Sequence, residues 1–270
     1  MKKSFAIFAA VLCTLLCSCS HDLVIVHMND THSHFDPLRD GRTGIVERTV
    51  IVDSIRRANG VKNTLLLHAG DFSQGSSYFT MLHGDLEIDA INAMGYDCVT
   101  LGNHEFDNGI EDLGRRLSGL ECPVVCANYD FSTFEAGKYI TPYTILQKAG
   151  RKIGIIGVLC DISTVVSREI ADRIPALETV ETVNKWAAYL KNEEKCDLVI
   201  ALTHIGLGIE GTLDDLALVP QTRDVDLVVG GHSHTFIDDI VWVKNLDGKE
   251  IPIVQDGCWG YEVAEMRVSF

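Results

Sequence analysis

The sequence predicts an α/β fold in a single domain, and three observations support this prediction. Seven apolar runs are nearly continuous in Val, Ile and Leu, as expected of strands that are covered on both faces. Segments with helical spacing of apolar residues lie between several of these runs, where they can act as crossover connections. The 270 residues are 46% hydrophobic and 23% charged, which is ordinary for a globular protein and enough to bury a full core.

The predicted elements follow one another without a linker, a repeat or a low-complexity tract. The strand-like runs are Leu23–Met28, Thr64–Ala69, Cys98–Leu101, Val124–Ala127, Lys152–Leu159, Leu198–Thr203 and Leu227–Gly230. The helical segments between them are Ile45–Arg57, Leu86–Met94, Ile110–Leu117 and Val180–Lys195. Three shorter strands and an Asp247-Gly248 turn predict an antiparallel region near the end: Ile240–Val243, Ile251–Gln255 and Tyr261–Val268.

The first residues indicate an export signal. Two lysines precede an apolar stretch over residues 5–16, which is too short for a membrane-spanning helix of about 20 residues. Residues 16–19 (Leu-Cys-Ser-Cys) resemble a bacterial lipobox, so we predict a lipoprotein-type signal peptide over residues 1–18 and a lipid anchor on Cys19. Cys17 is the weaker attachment site, because Leu16 would then occupy the cleavage position. A plain secretory signal is the alternative.

Charge and cysteine content limit the kinds of partner and metal site that we expect for the mature region, residues 19–270. The full chain has a net charge of −15, which becomes −17 without Lys2 and Lys3, and this acidity argues against nucleic-acid binding, which depends on phosphate neutralisation by Lys and Arg. No CxxC pair follows Cys19, which argues against a thiolate zinc site. Four of the six later cysteines lie in or beside apolar runs, so we expect mostly reduced, structural thiols: Cys98, Cys126, Cys160 and Cys196. The mature protein is expected to be periplasmic or on the cell surface.

Five of the apolar runs end in Asp, Asn or His. The residues at these ends are Asp30 and His32, Asp71, Asn103 and His104, His204, and His232 and His234. Each motif alone is a weak signal, because a single Asp-x-His or Gly-Asp is common in turns and surfaces. The carboxyl ends of parallel strands meet at the edge where open α/β sheets bind ligands. Their repetition at one edge therefore predicts a shared site.

The residue types at these ends suit a pair of metal ions. Carboxylate, imidazole and amide oxygen together favour Mn, Zn, Fe, Co or a similar divalent ion. His232 and His234 are two apart, so on an extended chain both side chains project to one side. Asp71 can bridge two ions through its two oxygens. Ions about 3.5–4 Å apart clamp the attacking and leaving oxygens of a phosphoryl displacement and lower the pKa of a bound water.

Four motif contexts make the chain resemble the calcineurin-like metallophosphoesterases, and the catalytic domain of 5′-nucleotidases in particular. They are residues 29–34 (Asn-Asp-Thr-His-Ser-His), 70–75 (Gly-Asp-Phe-Ser-Gln-Gly), 102–107 (Gly-Asn-His-Glu-Phe-Asp) and 230–235 (Gly-Gly-His-Ser-His-Thr). The resemblance implies a four-layer αββα sandwich around a dinuclear metal site. It also implies hydrolysis of 5′-nucleotides or related phosphate monoesters by metal-activated water.

The resemblance assigns roles to individual residues. One metal ion would be held by Asp30, His32, Asp71 and His234. The other would be held by Asp71, Asn103, His204 and His232. His104, beside the metals but not bound to them, would stabilise the transition state or protonate the leaving oxygen, and Asp107 would orient it. Glu105 is interpreted as a residue that orients the backbone rather than as a base.

The chain departs from the 5′-nucleotidase pattern after the last predicted strand. Such enzymes carry a C-terminal domain that stacks the base and clamps the phosphate, and no counterpart follows Tyr261–Val268. Either a separate chain supplies that domain, or this domain acts alone on simple phosphate esters. The same scaffold also allows a 2′,3′-cyclic-nucleotide phosphodiesterase, a sulfur-ester hydrolase or a non-catalytic metal-bearing lipoprotein subunit. A zinc amidohydrolase would place its His-x-His motif earlier in the chain.

Overall fold

The computed structural model describes residues 22–37 and 43–270. The predicted signal peptide over residues 1–18 and the predicted anchor Cys19 lie outside these residues. No helix in the part of the chain that the structure describes has the length and apolar content needed to cross a bilayer.

Twelve strands in the described residues form two sheets of six strands each. In chain order they are β1 (Leu23–Met28), β2 (Thr64–His68), β3 (Cys98–Thr100), β4 (Val124–Val125), β5 (Ile140–Thr141), β6 (Tyr143–Lys148), β7 (Arg151–Leu159), β8 (Leu198–His204), β9 (Leu227–Val229), β10 (Val241–Lys244), β11 (Glu250–Val254) and β12 (Ala264–Val268). The spatial order is β12-β1-β2-β3-β4-β5 in one sheet and β10-β11-β9-β8-β7-β6 in the other. Strands β1 to β5 run parallel, as do β7, β8, β9 and β11.

Helices cover the outer face of each sheet. They are α1 (Ile45–Asn59), α2 (Ser77–Leu82), α3 (Asp85–Met94), α4 (Ile110–Leu117), α5 (Arg168–Ala171), α6 (Thr179–Asn192) and α7 (Asp215–Leu218). Helix α3 contacts both α1 and α4 beside the first sheet, and α1 contacts β2. Helix α6 packs against β7 and β8 of the second sheet. Two sheets between two helical layers make the expected four-layer αββα architecture.

The two sheets pack face to face through alternate residues of their strands. In β1, Leu23 and Ile25 belong to the core between the sheets, where they meet residues of the second sheet such as Ile200. Val24 and Val26 point the other way, into the core beneath the helices. Successive side chains on a strand face opposite sides, so a strand covered on both faces needs apolar residues at every position. This requirement explains the continuous apolar runs.

Most expected elements are confirmed, and the differences lie at sheet edges and in short helices. The edge strand β6 was not expected, because its residues are mostly half-buried and its sequence mixes polar and apolar side chains. The antiparallel region is confirmed for β10 and β11. The third expected strand, β12, does not join them: it pairs antiparallel with β1 in the other sheet, with Leu23 opposite Val268. Three helices of four to six residues were too short to show periodicity.

Candidate metal centre

The loops after β1, β2, β3, β8 and β9 meet at one edge of the molecule. Five of the seven predicted metal ligands line one cleft of about 600 Å³ there: His32, Asp71, Asn103, His232 and His234. The other two, Asp30 and His204, have no exposed surface and lie beneath the cleft. Three groups of side chains at this edge, one of which includes His104, converge closely enough to hold a metal ion. They are Asp30, His32 and His234; His32, Asp71 and His104; and Asp71, His204 and His232.

The backbone at these residues is unusual. Five of the predicted ligands have positive φ angles, between 46° and 79°: Asp30, His32, Asp71, His232 and His234. The left-handed region costs a residue with a side chain about 1–2 kcal/mol, and Asp and His enter it more readily than bulky residues do. Such conformations are retained at functional sites, where they direct side chains that a regular strand or helix would turn away.

Asp30 is held by one of its carboxylate oxygens. Its Oδ2 accepts hydrogen bonds from the Asn29 side-chain amide at 2.7 Å and from the backbone N–H of His232 at 2.8 Å. Its Oδ1 has no such donor and lies 3.3 Å from Nε2 of His234 and 3.8 Å from Nε2 of His204. One oxygen therefore fixes the carboxylate, and the other faces the imidazoles.

Asp71 follows the same plan. Its Oδ1 accepts from the backbone N–H of His104 at 2.8 Å, while its Oδ2 lies 3.1 Å from Nε2 of His204 and 3.9 Å from Nε2 of His32. Its own N–H donates to Oε2 of the buried Glu105 at 2.9 Å. Glu105 also accepts from the N–H groups of Gly102 and Ser73, so its expected role in orienting the backbone is confirmed.

Gly102 leaves the space that Asp71 occupies. A Cβ atom at this position would lie 2.1 Å from Oδ1 of Asp71 and 2.4 Å from its backbone nitrogen. Neither atom can move away without breaking the hydrogen bonds to Glu105 and His104. The glycine that precedes the Asn103-His104 motif is therefore required by close packing rather than by an unusual φ.

The histidines bring their Nε2 atoms together. His32 and His234 place these nitrogens 2.9 Å apart, and the ring centroids of His204 and His232 are 5.1 Å apart. Nδ1–H of His204 donates a hydrogen bond to the backbone oxygen of Ala69 at 2.6 Å, which leaves Nε2 to face the carboxylates. A backbone or carboxylate acceptor behind an imidazole is the usual way in which proteins orient a metal-binding histidine.

The donor set fits a divalent cation. Oδ1 of Asp30 and Nε2 of His204 are buried, and neither has a hydrogen bond of good geometry within the described residues, although Oδ2 of Asp71 lies near the latter. Leaving a buried carboxylate oxygen unpaired costs several kcal/mol. A cation among these atoms would satisfy the carboxylates and the imidazole lone pairs together. Asp, His and Asn oxygens and nitrogens are ligands of first-row divalent metals.

The pKa values of the histidines show that the buried carboxylates favour positive charge beside them. Burial disfavours the imidazolium of His204, but the carboxylates of Asp71 and Asp30 outweigh it and raise its pKa to about 10. The carboxylate of Asp30, 3.3 Å from Nε2 of His234, raises the pKa of His234 to about 10 as well. Burial and the charge of His204 lower the pKa of His232 to about 4. His204 and His234 therefore each favour a bound proton beside the carboxylates of Asp30 and Asp71, where a metal cation would also be stabilised.

His104 and Asp107 lie at the exposed side of the cleft. Nδ1 of His104 is 2.9 Å from Oδ2 of Asp107, which is the contact that the predicted orienting role of Asp107 requires. Burial disfavours the charged ring, but this hydrogen bond and the nearby Asp71 raise the pKa of His104 overall. The ring of His104 meets that of His32 edge to face at 5.2 Å. His104 therefore also lies close enough to His32 and Asp71 to form a group that could hold a metal ion.

Two residues that support the site from distant parts of the chain give little signal in the sequence. Asn29 links Asp30 to the far end of the chain, since its amide also donates to the backbone oxygen of Gly257 and accepts from the N–H of Asp256. Arg116 is buried and supports the Asp71 loop through Ser73 and the backbone oxygen of Glu105. Asn29 stands beside Asp30 in the first motif, which was the available signal. Arg116 lies in α4, and nothing in its sequence context marks it.

Known proteins resemble this chain in sequence and in fold. The family model of the calcineurin-like phosphoesterases matches residues 23–236. A 5′-nucleotidase of Vibrio cholerae is 33% identical, over 79% of this chain and 40% of its own length. The crystal structure of a 5′-nucleotidase precursor from Thermus thermophilus has a TM-score of 0.84 and 31% identity, over 92% of this chain and 51% of that chain.

A second solved structure, the NAD nucleotidase of Haemophilus influenzae, has a TM-score of 0.80 and 28% identity. The matched region covers 92% of this chain and 53% of the NAD nucleotidase chain. The chain spans about half the length of the curated relatives it matches.

We predict that Gly102→Ala weakens cation binding by about 10- to 100-fold, the usual effect of disturbing the groups that orient metal ligands. The added methyl group collides with Asp71 and displaces its carboxylate. Isothermal titration with Mn²⁺ measures the effect. Gly248→Ala is the matched control: nothing lies within 4 Å of its added Cβ, so only its positive φ is penalised and Mn²⁺ affinity stays unchanged. Unchanged affinity in Gly102→Ala would contradict the packing argument.

We also predict that Mn²⁺ binding releases protons. His204 and His234 are protonated at neutral pH because their pKa values are about 10, and the cation takes the same nitrogens. Affinity therefore rises with pH from about 6.5 to 8.5. Titrations in buffers of different ionisation enthalpy count the protons, and His83→Asn, which changes an exposed histidine, leaves the count unchanged. An affinity that falls with pH, or no proton release, would contradict the assignment.

Proposed function

The chain belongs to the calcineurin-like phosphoesterase family, and we propose that it is a metal-dependent phosphohydrolase acting on 5′-nucleotides or related phosphate monoesters. The observation that supports this most strongly is the pair of buried carboxylates, Asp30 and Asp71, each with one fixed oxygen and one oxygen facing imidazole nitrogens. The relatives named above are 5′-nucleotidases and an NAD nucleotidase, which favours nucleotide substrates.

We propose that two divalent ions bind, with Asp71 between them. Oδ2 of Asp71 lies near both His204 and His32, which belong to different groups of candidate ligands. One ion would be held by Asp30, His32, Asp71 and His234. The other would be held by Asp71, Asn103, His204 and His232. When bound, the ions neutralise phosphoryl oxygens and lower the pKa of a water molecule so that hydroxide is available near neutral pH.

His104 is the proposed acid of the reaction. Its ring stands in the cleft beside His32, and Asp107 holds a proton on Nδ1. The raised pKa favours the imidazolium, which can stabilise the developing charge on phosphate or protonate the leaving oxygen. Because the hydrogen bond to Asp107 is already made, the ring does not need to reorient when substrate arrives.

The cleft itself suits a small phosphate ester. Its volume of about 600 Å³ is in the range of small-ligand sites. Asn103 and the imidazoles of His32 and His234 line it. A phosphate group placed there would meet cations and the His104 imidazolium, which offset the strongly acidic charge of the chain as a whole.

The direct test is phosphate release from AMP by the Mn²⁺-loaded protein. We expect His104→Ala to lower kcat by about 10²- to 10⁴-fold, because proton transfer by a positioned side chain contributes that much. Asp107→Asn should lower it by about 10- to 100-fold, because it removes only the orienting partner. Hydrolysis of 2′,3′-cyclic AMP in preference to AMP would identify the diesterase alternative instead.

The metal content of each variant separates catalysis from binding. His104→Ala should keep the same number of Mn²⁺ ions as the unchanged protein, because the proposal places it outside the coordination shell. His83→Asn, on the surface, serves as the activity control. Loss of an ion from His104→Ala would make it a ligand, and full activity in that variant would contradict its proposed role.

We also propose that the protein is exported and lipid-anchored through Cys19. The support is the segment of residues 1–19, with its short apolar stretch and lipobox-like end. In bacterial cells we expect Cys19→Ala to move the protein from the membrane fraction to the soluble fraction, whereas Cys17→Ala leaves it membrane-bound. Mass spectrometry of the mature N-terminus checks the attachment site. Soluble unchanged protein, or release by Cys17→Ala alone, would contradict the assignment.

A further inference from the structure

An aromatic pair stands at the wall of the cleft that contains the candidate ligands. The rings of His34 and Trp259 both line this cleft, and they stack with centroids 5.0 Å apart and an interplanar angle of 16°. Tyr261 meets Trp259 edge to face at 5.4 Å, and Phe236 stacks beside Tyr261. The aromatic row therefore begins at the cleft and continues across the surface.

A buried arginine fixes this pair from behind. Arg48, in α1, is 3% exposed and donates from Nη1 to the backbone oxygen of Trp259 at 3.2 Å and from Nη2 to the backbone oxygen of His34. The N–H of Trp259 donates to the backbone oxygen of Asp30 at 2.6 Å. These bonds join the loop after β1 to the loop before β12. The two rings are therefore aligned before any ligand arrives, which reduces the entropic cost of binding.

The backbone of Trp259 is strained. Its φ is +60°, which is a rare conformation for a bulky side chain. Strain of this kind persists where surrounding contacts impose it, and it accumulates at binding sites. The strain does not serve to bury the indole, because 38% of Trp259 remains exposed. The fold thus holds a large aromatic ring, at a cost, where it faces the cleft and solvent.

We propose that Trp259, backed by His34, is a stacking platform for the planar aromatic part of the substrate, either a nucleotide base or an aryl group. This inference rests on the proposed function, because a phosphate bound at the metal centre is what places the aromatic part against the indole. Every base has a π face, so stacking favours aromatic over aliphatic esters without selecting one base. Trp259 is therefore a specificity-determining residue.

Binding of two phosphonates tests the platform without requiring turnover. Phenylphosphonate and methylphosphonate both carry the anionic group, their C–P bonds are not hydrolysed as esters, and only the first has a ring. Titration calorimetry with the Mn²⁺-loaded protein gives the ratio of their affinities. We expect Trp259→Leu to lower the phenyl-to-methyl ratio by about tenfold, as expected for loss of one aromatic stacking partner.

Two further variants isolate the aromatic ring. Trp259→Phe also shortens the side chain but keeps a π face, so its ratio should remain within about threefold of the unchanged protein. Trp242→Leu removes a tryptophan that is 55% exposed on the edge strand β10, and its ratio should be unchanged. An unchanged ratio in Trp259→Leu, or equal ratios in the Leu and Phe variants, would overturn the proposal and leave the aromatic row as a packing feature or a protein contact.

Fluorescence gives an independent measurement if Trp259→Leu does not fold. The chain has three tryptophans, so the double variant Trp186→Phe/Trp242→Phe leaves Trp259 as the single emitter. Phenylphosphonate should change its emission and methylphosphonate should not; equal responses would overturn the platform. Phenylphosphonate selectivity without hydrolysis of any phosphate ester would contradict only the proposed function. Hydrolysis with no phenyl preference would contradict only the platform.

Discussion

The structure depends on two buried carboxylates that each use one oxygen to hold the backbone and present the other to imidazole nitrogens. Asp30 is fixed from the loop after β9, and Asp71 is fixed by the N–H of His104. Each interaction joins loops that follow different strands. Burying the second oxygen of each carboxylate costs free energy unless positive charge is supplied, and that need links the fold to metal chemistry. The rest of the centre follows from this constraint.

The surrounding elements make the arrangement possible. Parallel strands β1, β2, β3, β8 and β9 bring five loops to one edge, and the packing of the two sheets fixes the distance between those loops. Positive φ angles at Asp30 and Asp71 turn the side chains inward, and Gly102 leaves room for the second carboxylate. Glu105 then satisfies the N–H groups that this sharp turn exposes. The conformational cost is repaid by hydrogen bonds rather than by burial of apolar surface.

The sequence alone predicted the fold class and the convergence of the seven predicted ligands, because both depend on strand ends. Continuous apolar runs indicate strands covered on both faces. Because such strands run parallel, the polar residues that follow them lie together at the edge formed by the carboxyl ends of the strands. Other features depend on contacts between distant segments and carry no local signal. The stacking of His34 on Trp259 requires the loop before β12 to return beside β1. No sequence pattern identifies Arg48, because its role depends on the contact of its guanidinium group with that distant loop. The edge strand β6 lacks a clear pattern because it is only partly buried.

A crystal of the Mn²⁺-loaded protein, measured at a wavelength where manganese scatters anomalously, tests the central claim most directly. The account predicts two anomalous peaks about 3.5–4 Å apart, with Asp71 between them, Asp30 at one and His204 at the other. A single peak away from both carboxylates, or no peak at this edge, would contradict it.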